Sequence, residues 1–204
     1  MITFLVTATV ISLSGVLAPG PMTAATLAAG TRARHAGALV ALGHAVVEFP
    51  LLIVILAGAG RLFEIAAVQM TIGLAGGVFL LAMGVQLLAA ARAVTNNTDG
   101  ADERHPFLTG ILLTGANPYF LIWWATVGLA LAMEAAELGV VAFALFAVVH
   151  WLCDLVWLEA LSLASHKGTQ LLGNRIQRIV LAACGILLLG FGCKFLVDVG
   201  SRLS

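Results

Sequence analysis

The sequence predicts an all-α, polytopic membrane protein with six transmembrane helices arranged as two inverted-topology repeats of three. Three observations support this: an apolar composition, six long apolar runs, and helix breaks and polar pairs that occur in both halves. Of 204 residues, 61% are hydrophobic and 10% are charged, with a mean hydropathy of +1.08. Soluble domains are about 45–50% apolar and about 25% charged. The formal net charge is zero, so nucleic acid is not expected as a partner.

Six runs are long enough to cross a bilayer, which takes about 20 mostly apolar residues. They cover 2–24, 37–60, 66–90, 107–131, 137–162 and 176–199. The first run has no basic segment before it, and Pro19 follows the small residues where cleavage would be sought. We therefore expect a retained membrane span and not a signal peptide. The hydrophilic stretch 92–106 is predicted to link a first repeat, 1–91, to a second, 107–204.

Lysine and arginine counts predict the orientation, because cytoplasmic segments carry an excess of them. With the N-terminus outside, the cytoplasmic segments are 30–36, 92–106 and 163–178. They hold seven of the ten basic residues: Arg32, Arg34, Arg92, Arg104, Lys167, Arg175 and Arg178. The opposite side holds Arg61, Lys194 and Arg202. We therefore expect an inner (plasma) membrane protein with both termini outside.

The two halves carry the same kinds of polar and helix-breaking residues. The first helix of each half has a proline-based break: Pro19, Gly20 and Pro21 in one, Asn117 and Pro118 in the other. The second helix of each half has a histidine followed four residues later by an acid: His44 and Glu48, His150 and Asp154. Because three is odd, the second half enters the membrane from the opposite side. This pattern indicates an inverted-topology repeat, an architecture of many secondary transporters.

The histidine–acid pairs predict an interior polar site. Four-residue spacing puts both members of a pair on one helical face. A charge at a helix centre costs about 2.5–3.5 kcal/mol on insertion scales, so such residues face a cavity or each other. One interpretation is a neutral histidine bonded to a protonated acid, which only ties helices together. Their occurrence in corresponding helices favours a second one, a proton-coupling site.

The same pairs leave two other kinds of site open. Histidine and carboxylate at this spacing are also metal ligands. However, no HExxH motif, cysteine cluster or histidine-rich loop accompanies them, so we expect neither a bound metal nor a cofactor. An intramembrane hydrolase ranks lower still, because no serine elbow or paired-aspartate signature is present. We therefore expect that the protein is not an enzyme.

The first break is predicted to bind an anionic group. Pro19 and Pro21 interrupt the hydrogen-bond ladder, and Gly20 allows a backbone conformation that other residues resist. A helix that restarts after Pro21 presents unpaired amides and a positive dipole end, which suit a carboxylate. Met22 and Thr23 follow at once, with a hydroxyl donor on Thr23. A simple kink is the alternative.

The second break is predicted to line the same site. The Asn117 amide could satisfy the carbonyls that Pro118 leaves unpaired. Tyr119, Trp123 and Trp124 are expected in an interfacial belt or in plain packing, with a pocket wall as the alternative. Glycines in the third and sixth helices predict close helix contacts, with a homodimer face left open. They are Gly73, Gly76, Gly77, Gly84, Gly185, Gly190 and Gly192. The three cysteines, Cys153, Cys184 and Cys193, are expected to be buried free thiols.

Four segments resemble a known family: LAPGP at 17–21, GTRARHAGALVALG at 30–43, GANPYFLIWW at 115–124 and CDLVW at 153–157. With about 200 residues and six helices, the chain resembles the LysE/RhtB amino-acid exporter family over nearly its whole length. His44 and His150 depart from the family pattern, and Glu48 stands where aspartate is more usual. The resemblance implies export of amino acids or related small metabolites, driven by the proton gradient. The broader superfamily also contains metal and other ion exporters, so divalent ion export is the alternative.

The expected partners are therefore an amino acid, protons and the lipid bilayer. The substrate is expected near the midplane, with its carboxylate at Gly20–Met22 and its ammonium at Glu48 or Asp154. Exchange for a proton follows because a carboxylate cannot hold both cation and proton well. The two breaks are expected to approach each other as paired gates.

Overall fold

The computed structural model describes residues 1–17, 20–58, 65–93 and 105–203, and nearly all of them are helical. The helices are α1 (Ile2–Val16), α2 (Pro21–Gly30), α3 (Ala36–Leu56), α4 (Ala66–Ala93), α5 (Pro106–Gly115), α6 (Pro118–Trp123), α7 (Leu129–Glu137) and α8 (Val140–Leu203). A π-helical turn, Trp124–Gly128, joins α6 to α7. The all-α class is confirmed for the described residues. Pro19, Arg61, Arg104 and most of the linker 92–106 lie outside them.

Four described segments are long and apolar enough to cross a membrane: Ala36–Leu56, Ala66–Ala93, Val140–Leu171 and Gly173–Ser201. Two shorter apolar helices, Ile2–Leu13 and Pro106–Gly115, accompany them. The run predicted as a single span at 2–24 is divided between α1 and α2, and the run at 107–131 is divided among α5, α6, the π-helical turn and the start of α7. The cause is local, since a proline begins a new helix inside each run.

The first division separates α1 from α2. Helix α1 is followed by Leu17, and α2 begins at Pro21, with Gly20 as its N-cap residue. Proline fits this first position because the amide hydrogen it lacks would have no partner inside the helix. Gly20 has φ −152° and ψ −175°, an extended conformation that any residue adopts. The expectation that this position needs a glycine backbone is therefore wrong.

The second division separates α5 from α6. Asn117 is the N-cap residue of α6, and its side chain accepts a hydrogen bond from the Tyr119 amide at 3.1 Å. We expected this side chain to satisfy carbonyls left unpaired by Pro118. The side-chain oxygen caps the helix that Pro118 begins, and the bond from the side-chain amide to those carbonyls stays a prediction.

Helix α8 covers the two spans predicted at 137–162 and 176–199, and two separate segments of it are long and apolar enough to cross a membrane. The helix continues through the first part of 163–178, the segment predicted to lie outside the membrane between these spans. It kinks at Gly173, whose φ of 68° and ψ of −161° are non-helical. A positive φ favours glycine. The kink divides α8 into a first arm, Val140–Leu171, and a second arm, Gly173–Ser201.

The second arm of α8 packs against α4 along a glycine seam. A Cβ added at Gly77 would lie 3.2 Å from the Gly192 carbonyl oxygen, and one added at Gly84 would lie 2.9 Å from the Gly185 oxygen. Facing glycines let helices approach closely. The predicted close contacts are confirmed for these two pairs, which are used within one chain.

The cysteines are free, as expected, but their burial differs. Cys184 is buried in the α4–α8 core, Cys153 is half-buried, and Cys193 is exposed on the second arm of α8. Burial was predicted for all three from their apolar neighbours. An apolar helix in a membrane has a lipid-facing side, so apolar neighbours do not by themselves predict burial.

Two apolar clusters flank the region that holds the polar pairs. One contains Phe4, Leu52, Trp124 and Phe146, from α1, α3, the π-helical turn and α8. The other joins α2, α4, α5 and the second arm of α8, with Met22 packed against it. Trp124 and Met22 also line the cavity described below, which therefore lies between the clusters.

Candidate functional site

Four polar side chains from two helices meet inside the bundle. Helix α3 supplies His44 and Glu48, and the first arm of α8 supplies His150 and Asp154. We call these four residues the central cluster. The Nε2 atoms of His44 and His150 lie 3.2 and 3.1 Å from Glu48 Oε1, and 3.8 and 3.7 Å from Asp154 Oδ2. Each histidine therefore faces both acids, and each acid faces both histidines.

The central cluster is withdrawn from the surface. Glu48 is 0% exposed, His44 4% and His150 5%, while the Asp154 side chain is 14% exposed. Both Glu48 oxygens, His44 Nε2 and Asp154 Oδ2 are buried and form no well-aligned hydrogen bond with the described residues. Burying such groups is costly unless they are paired or hold an ion. The alternation of histidine and acid is what partly offsets that cost.

Two hydroxyl groups orient the histidine rings. His44 Nδ1 lies 2.9 Å from Thr114 Oγ1, and Thr114 donates its hydrogen to the Gly110 carbonyl at 2.6 Å. Thr114 must therefore accept from His44, which places a proton on Nδ1. A neutral His44 then turns the lone pair of Nε2 toward Glu48. His150 Nδ1 lies 2.8 Å from Ser12 Oγ, a contact that either group could donate.

These hydroxyl contacts cross between the two halves of the chain. Thr114 of α5 holds the histidine of the first half, and Ser12 of α1 holds the histidine of the second half. The close crossing of α3 and α5 brings Thr114 within reach. At that crossing, a Cβ on Gly43 or Gly110 would collide with the backbone of the other helix. Sequence reasoning missed both hydroxyls; their only signal is a small polar residue in an apolar helix.

Aromatic rings surround the histidines. Trp123 stacks on His150 with centroids 5.1 Å apart at 22°, and Trp124 meets the same ring edge-on at 5.1 Å and 75°. Phe120 meets His44 at 5.1 Å and 78°. We expected the two tryptophans in an interfacial belt or in plain packing. Plain packing is confirmed for Trp124, which is buried in an apolar cluster, and the alternative of a pocket wall is confirmed for both, since both line the cavity beside the central cluster.

The central cluster opens onto a cavity where both helix breaks meet. The cavity has a volume of about 80 Å³, which is room for several water molecules. Its lining includes most residues predicted for the site, namely Gly20, Pro21, Met22, Thr23, His44, Glu48, Asn117, His150 and Asp154. Pro118 forms the first residue of α6, directly after Asn117. No lysine or arginine is among the described lining residues.

The N-terminus of α2 faces this cavity without a side-chain cap. Gly20 has no side chain to offer, and Pro21, Met22 and Thr23 form the first turn. All four residues line the cavity. The first amides of a helix have no partner within the helix and carry the positive end of its dipole. The first turn of α2 can therefore attract an anionic group.

A row of contacts closes the bundle beyond the cavity, on the side of the α2–α3 connection. Glu159 Oε2 accepts from the Ala38 amide at 2.8 Å, and Oε1 lies 2.5 Å from His35 Nδ1. Ser162 donates to the Arg34 carbonyl at 3.0 Å, and Ser165 to the Leu27 carbonyl at 2.7 Å. These contacts fasten α2 and the start of α3 to α8. Glu159 therefore has a structural role away from the cavity.

The central cluster can also offer metal ligands. His44, Glu48 and Asp154 each present one suitable atom, and these atoms lie within 4.8 Å of one another. Imidazole nitrogen with carboxylate oxygen suits divalent transition metals. The site can therefore exchange protons, bind an ammonium group between its acids, or coordinate a cation.

Comparison with known proteins assigns the chain to a family. The family model of the LysE type translocator matches residues 13–199, a range that includes the whole central cluster and both breaks. Comparisons with curated proteins and with solved structures found no match. Since the family model covers most of the chain and the apolar helices fit a bilayer, the protein is an integral membrane exporter of small molecules. The chain belongs to the LysE type translocator family.

Proposed function

We propose that this translocator is a secondary active exporter of amino acids or related small metabolites, and that it exchanges its substrate for protons. One observation carries the proposal: the two helix breaks, the buried Glu48 and the half-buried Asp154 line the same cavity. Broken helices that meet at a central site are typical of secondary transporters. A zwitterion needs both an anion site and a cation site, and this cavity offers both within one enclosure.

The two ends of the cavity suggest how an amino acid would lie. Its carboxylate would take the first turn of α2, where amides and the helix dipole favour an anion. Its ammonium would take the acids of the central cluster, Glu48 and Asp154. The aromatic rings of Phe120 and Trp123 would then surround the rest of the molecule.

Proton exchange follows from competition for the same acids. A carboxylate that carries a proton binds an ammonium poorly, so loading of substrate and loading of protons exclude each other. The histidines belong to the same cluster and can share the protons. Moving one charge across 100 mV is worth about 2.3 kcal/mol, which supports a concentration ratio of about 50.

The crossed hydroxyl contacts support an arrangement of six spans in two inverted repeats of three. Each half orients the histidine of the other, as a pseudo-twofold axis in the membrane plane would produce. Arg34 and Lys167 belong to segments that the Ser162 and Ser165 contacts bring to one end of the bundle. We infer that this basic end is cytoplasmic, with both termini outside an inner membrane.

The test is transport by the purified protein in proteoliposomes. A panel of labelled amino acids would be offered with and without an imposed pH gradient, and divalent metal ions would be offered in parallel. We expect at least one amino acid to accumulate when the gradient is present and to stop accumulating when a protonophore collapses it. Accumulation of metal ions with no amino acid moved would contradict the proposal and favour divalent ion export.

A further inference from the structure

The central cluster has the properties of a transition-metal site. We propose that its four side chains bind one divalent first-row transition-metal ion of the Zn²⁺ type, and that the bound ion blocks the cavity to the substrate. The binding step stands on geometry alone. The blocking step rests on the proposed function, because it assumes that the substrate uses the same acids.

The spacing of the four ligand atoms fits such an ion. Zinc lies about 2.0–2.1 Å from histidine nitrogen and about 2.0–2.2 Å from carboxylate oxygen, so ligand atoms in a tetrahedral site are about 3.3–3.6 Å apart. The four histidine–acid separations are 3.1, 3.2, 3.7 and 3.8 Å. Side-chain movements of a few tenths of an ångström would bring each of these four histidine–acid pairs to the ideal spacing. The ligand atoms of His44, Glu48 and Asp154 already lie within 4.8 Å of one another, and His150 Nε2 would have to move closer to His44 to complete the tetrahedron.

The hydroxyl contacts prepare the histidines as ligands. Metal-bound histidines almost always donate their second ring N–H to an oxygen, which fixes the tautomer and the ring orientation. Thr114 imposes this on His44, because its own hydrogen is committed to the Gly110 carbonyl. Ser12 can accept from His150 in the same way. Each Nε2 lone pair then faces the two acids.

Charge balance points the same way. With neutral histidines, Glu48 and Asp154 carry two negative charges, and no lysine or arginine is among the described residues that line the cavity. Buried charges need compensation, and one divalent cation supplies all of it. Both Glu48 oxygens, His44 Nε2 and Asp154 Oδ2 also form no well-aligned hydrogen bond with the described residues, as atoms that serve a bound ion would.

The ligand types select the class of ion and its effect. Two imidazoles with two carboxylates suit Zn²⁺ and neighbouring transition metals, whereas Ca²⁺ and Mg²⁺ prefer oxygen ligands alone. Four protein ligands make a closed site, which is typical of ions that are held and not exchanged. An ion so held would join α3 to α8 and occupy both acids. We therefore expect the bound ion to inhibit transport and not to be transported itself.

The binding step is tested with Co²⁺, whose visible absorption reports four-coordinate geometry. Full-length protein would be purified in detergent, treated with a chelator and titrated with Co²⁺. We expect about one Co²⁺ per chain with a four-coordinate spectrum, displaced by Zn²⁺ but not by Mg²⁺ or Ca²⁺. His44→Gln and His150→Gln should abolish the spectrum. His105→Gln, which alters an exposed histidine outside the cavity, is the matched control.

A second pair of variants keeps the test valid if the ligand variants misfold. Thr114→Val and Ser12→Ala leave all four ligands in place and remove only the groups that orient the histidines. Loss of such a partner costs about 10–100-fold in metal affinity. Absence of a four-coordinate spectrum in the unaltered protein would overturn the inference. Unchanged affinity in both Thr114→Val and His44→Gln would overturn it as well.

The blocking step is tested in the proteoliposomes. Zn²⁺ should inhibit amino-acid transport by the unaltered protein, and a chelator should restore it. Zn²⁺ that accumulates inside the vesicles would overturn blocking. Transport by chelator-treated protein with no four-coordinate Co²⁺ would refute the metal site and leave the proposed function intact. Metal binding without any amino-acid transport would refute the proposed function and leave the metal site intact.

Discussion

The two helix breaks look alike in sequence and differ in how their new helices begin. Helix α2 starts with Pro21 after Gly20, which has no side chain to cap the first turn. Helix α6 starts with Pro118 after Asn117, whose side chain accepts from the Tyr119 amide at 3.1 Å. Both starts lie at the same cavity. The first start has no side-chain cap of its own, whereas the second is capped by its own asparagine.

Helix α3 shows a third arrangement. Its Ala38 amide is bound by Glu159, a side chain from α8 that also pairs with His35. These three helix starts thus differ: α2 has no cap from its N-cap residue, α6 is capped by its own residue, and α3 is capped by a neighbouring helix. The two halves of the sequence therefore differ in how the helices after their breaks are capped. We expect the first break to bind the substrate and the second to shape the wall.

The largest effect should come from Glu48, which lines the cavity where both breaks lie. Glu48→Gln keeps the shape of the side chain but removes its charge, so the fold should persist while proton-coupled export falls at least about 100-fold. The measurement is pH-driven uptake of labelled substrate, and thermal unfolding is the control that the fold is kept. Coupling retained in Glu48→Gln combined with Asp154→Asn would place the proton site elsewhere.

The second-largest effect is expected at the N-terminus of α2, where a side-chain cap can be introduced by substitution. Gly20→Asp places a carboxylate at the N-cap of α2, where aspartate binds the first amides. It should occupy the predicted anion site and raise the substrate KM about tenfold or more, with stability unchanged or slightly higher. Gly20→Ala, which adds no acceptor and fits the extended backbone, is the matched control. Equal KM values in the two variants would refute the assignment of this helix start to the substrate.

A smaller effect is expected at the capped start. Asn117→Ala removes the bond to the Tyr119 amide and should lower the free energy of unfolding by about 1 kcal/mol, the usual cost of a lost N-cap. Asn117→Asp keeps a capping oxygen and should retain most of that stability. Thermal unfolding in detergent compares the two. A loss of stability as large in Asn117→Asp as in Asn117→Ala would show that the cap is not what matters.

The smallest effect is expected at the start of α3. Glu159→Gln keeps an oxygen for the Ala38 amide and loses only the ion pair with His35, whose side chain is 59% exposed. Exposed pairs contribute about 0–1 kcal/mol, so thermal unfolding should change little. Glu159→Ala also removes the cap and should cost about 1 kcal/mol more. If Glu159→Gln were as destabilising as Glu159→Ala, the ion pair would outweigh the cap.

Local chemistry decides which features the sequence could predict. The breaks at Pro21 and Pro118 were predictable because proline acts on its own turn. The shared faces of the histidine–acid pairs follow from helical periodicity alone. Ser12 and Thr114 were missed because their contacts depend on how helices cross. A break between the last two spans was predicted within 163–178, but its place at Gly173 was not, since glycine allows a positive φ there but does not require it.

The glycine seam between α4 and α8 has a consequence for the order of synthesis. Gly84 and its partner Gly185 are separated by about a hundred residues, so α4 emerges long before the helix that covers it. At about 5–20 residues per second, that interval lasts about 5–20 s. During this interval, the glycine face of α4 contacts lipid or the insertion machinery. A chain that ended before residue 174 would therefore leave the glycine face of α4 uncovered.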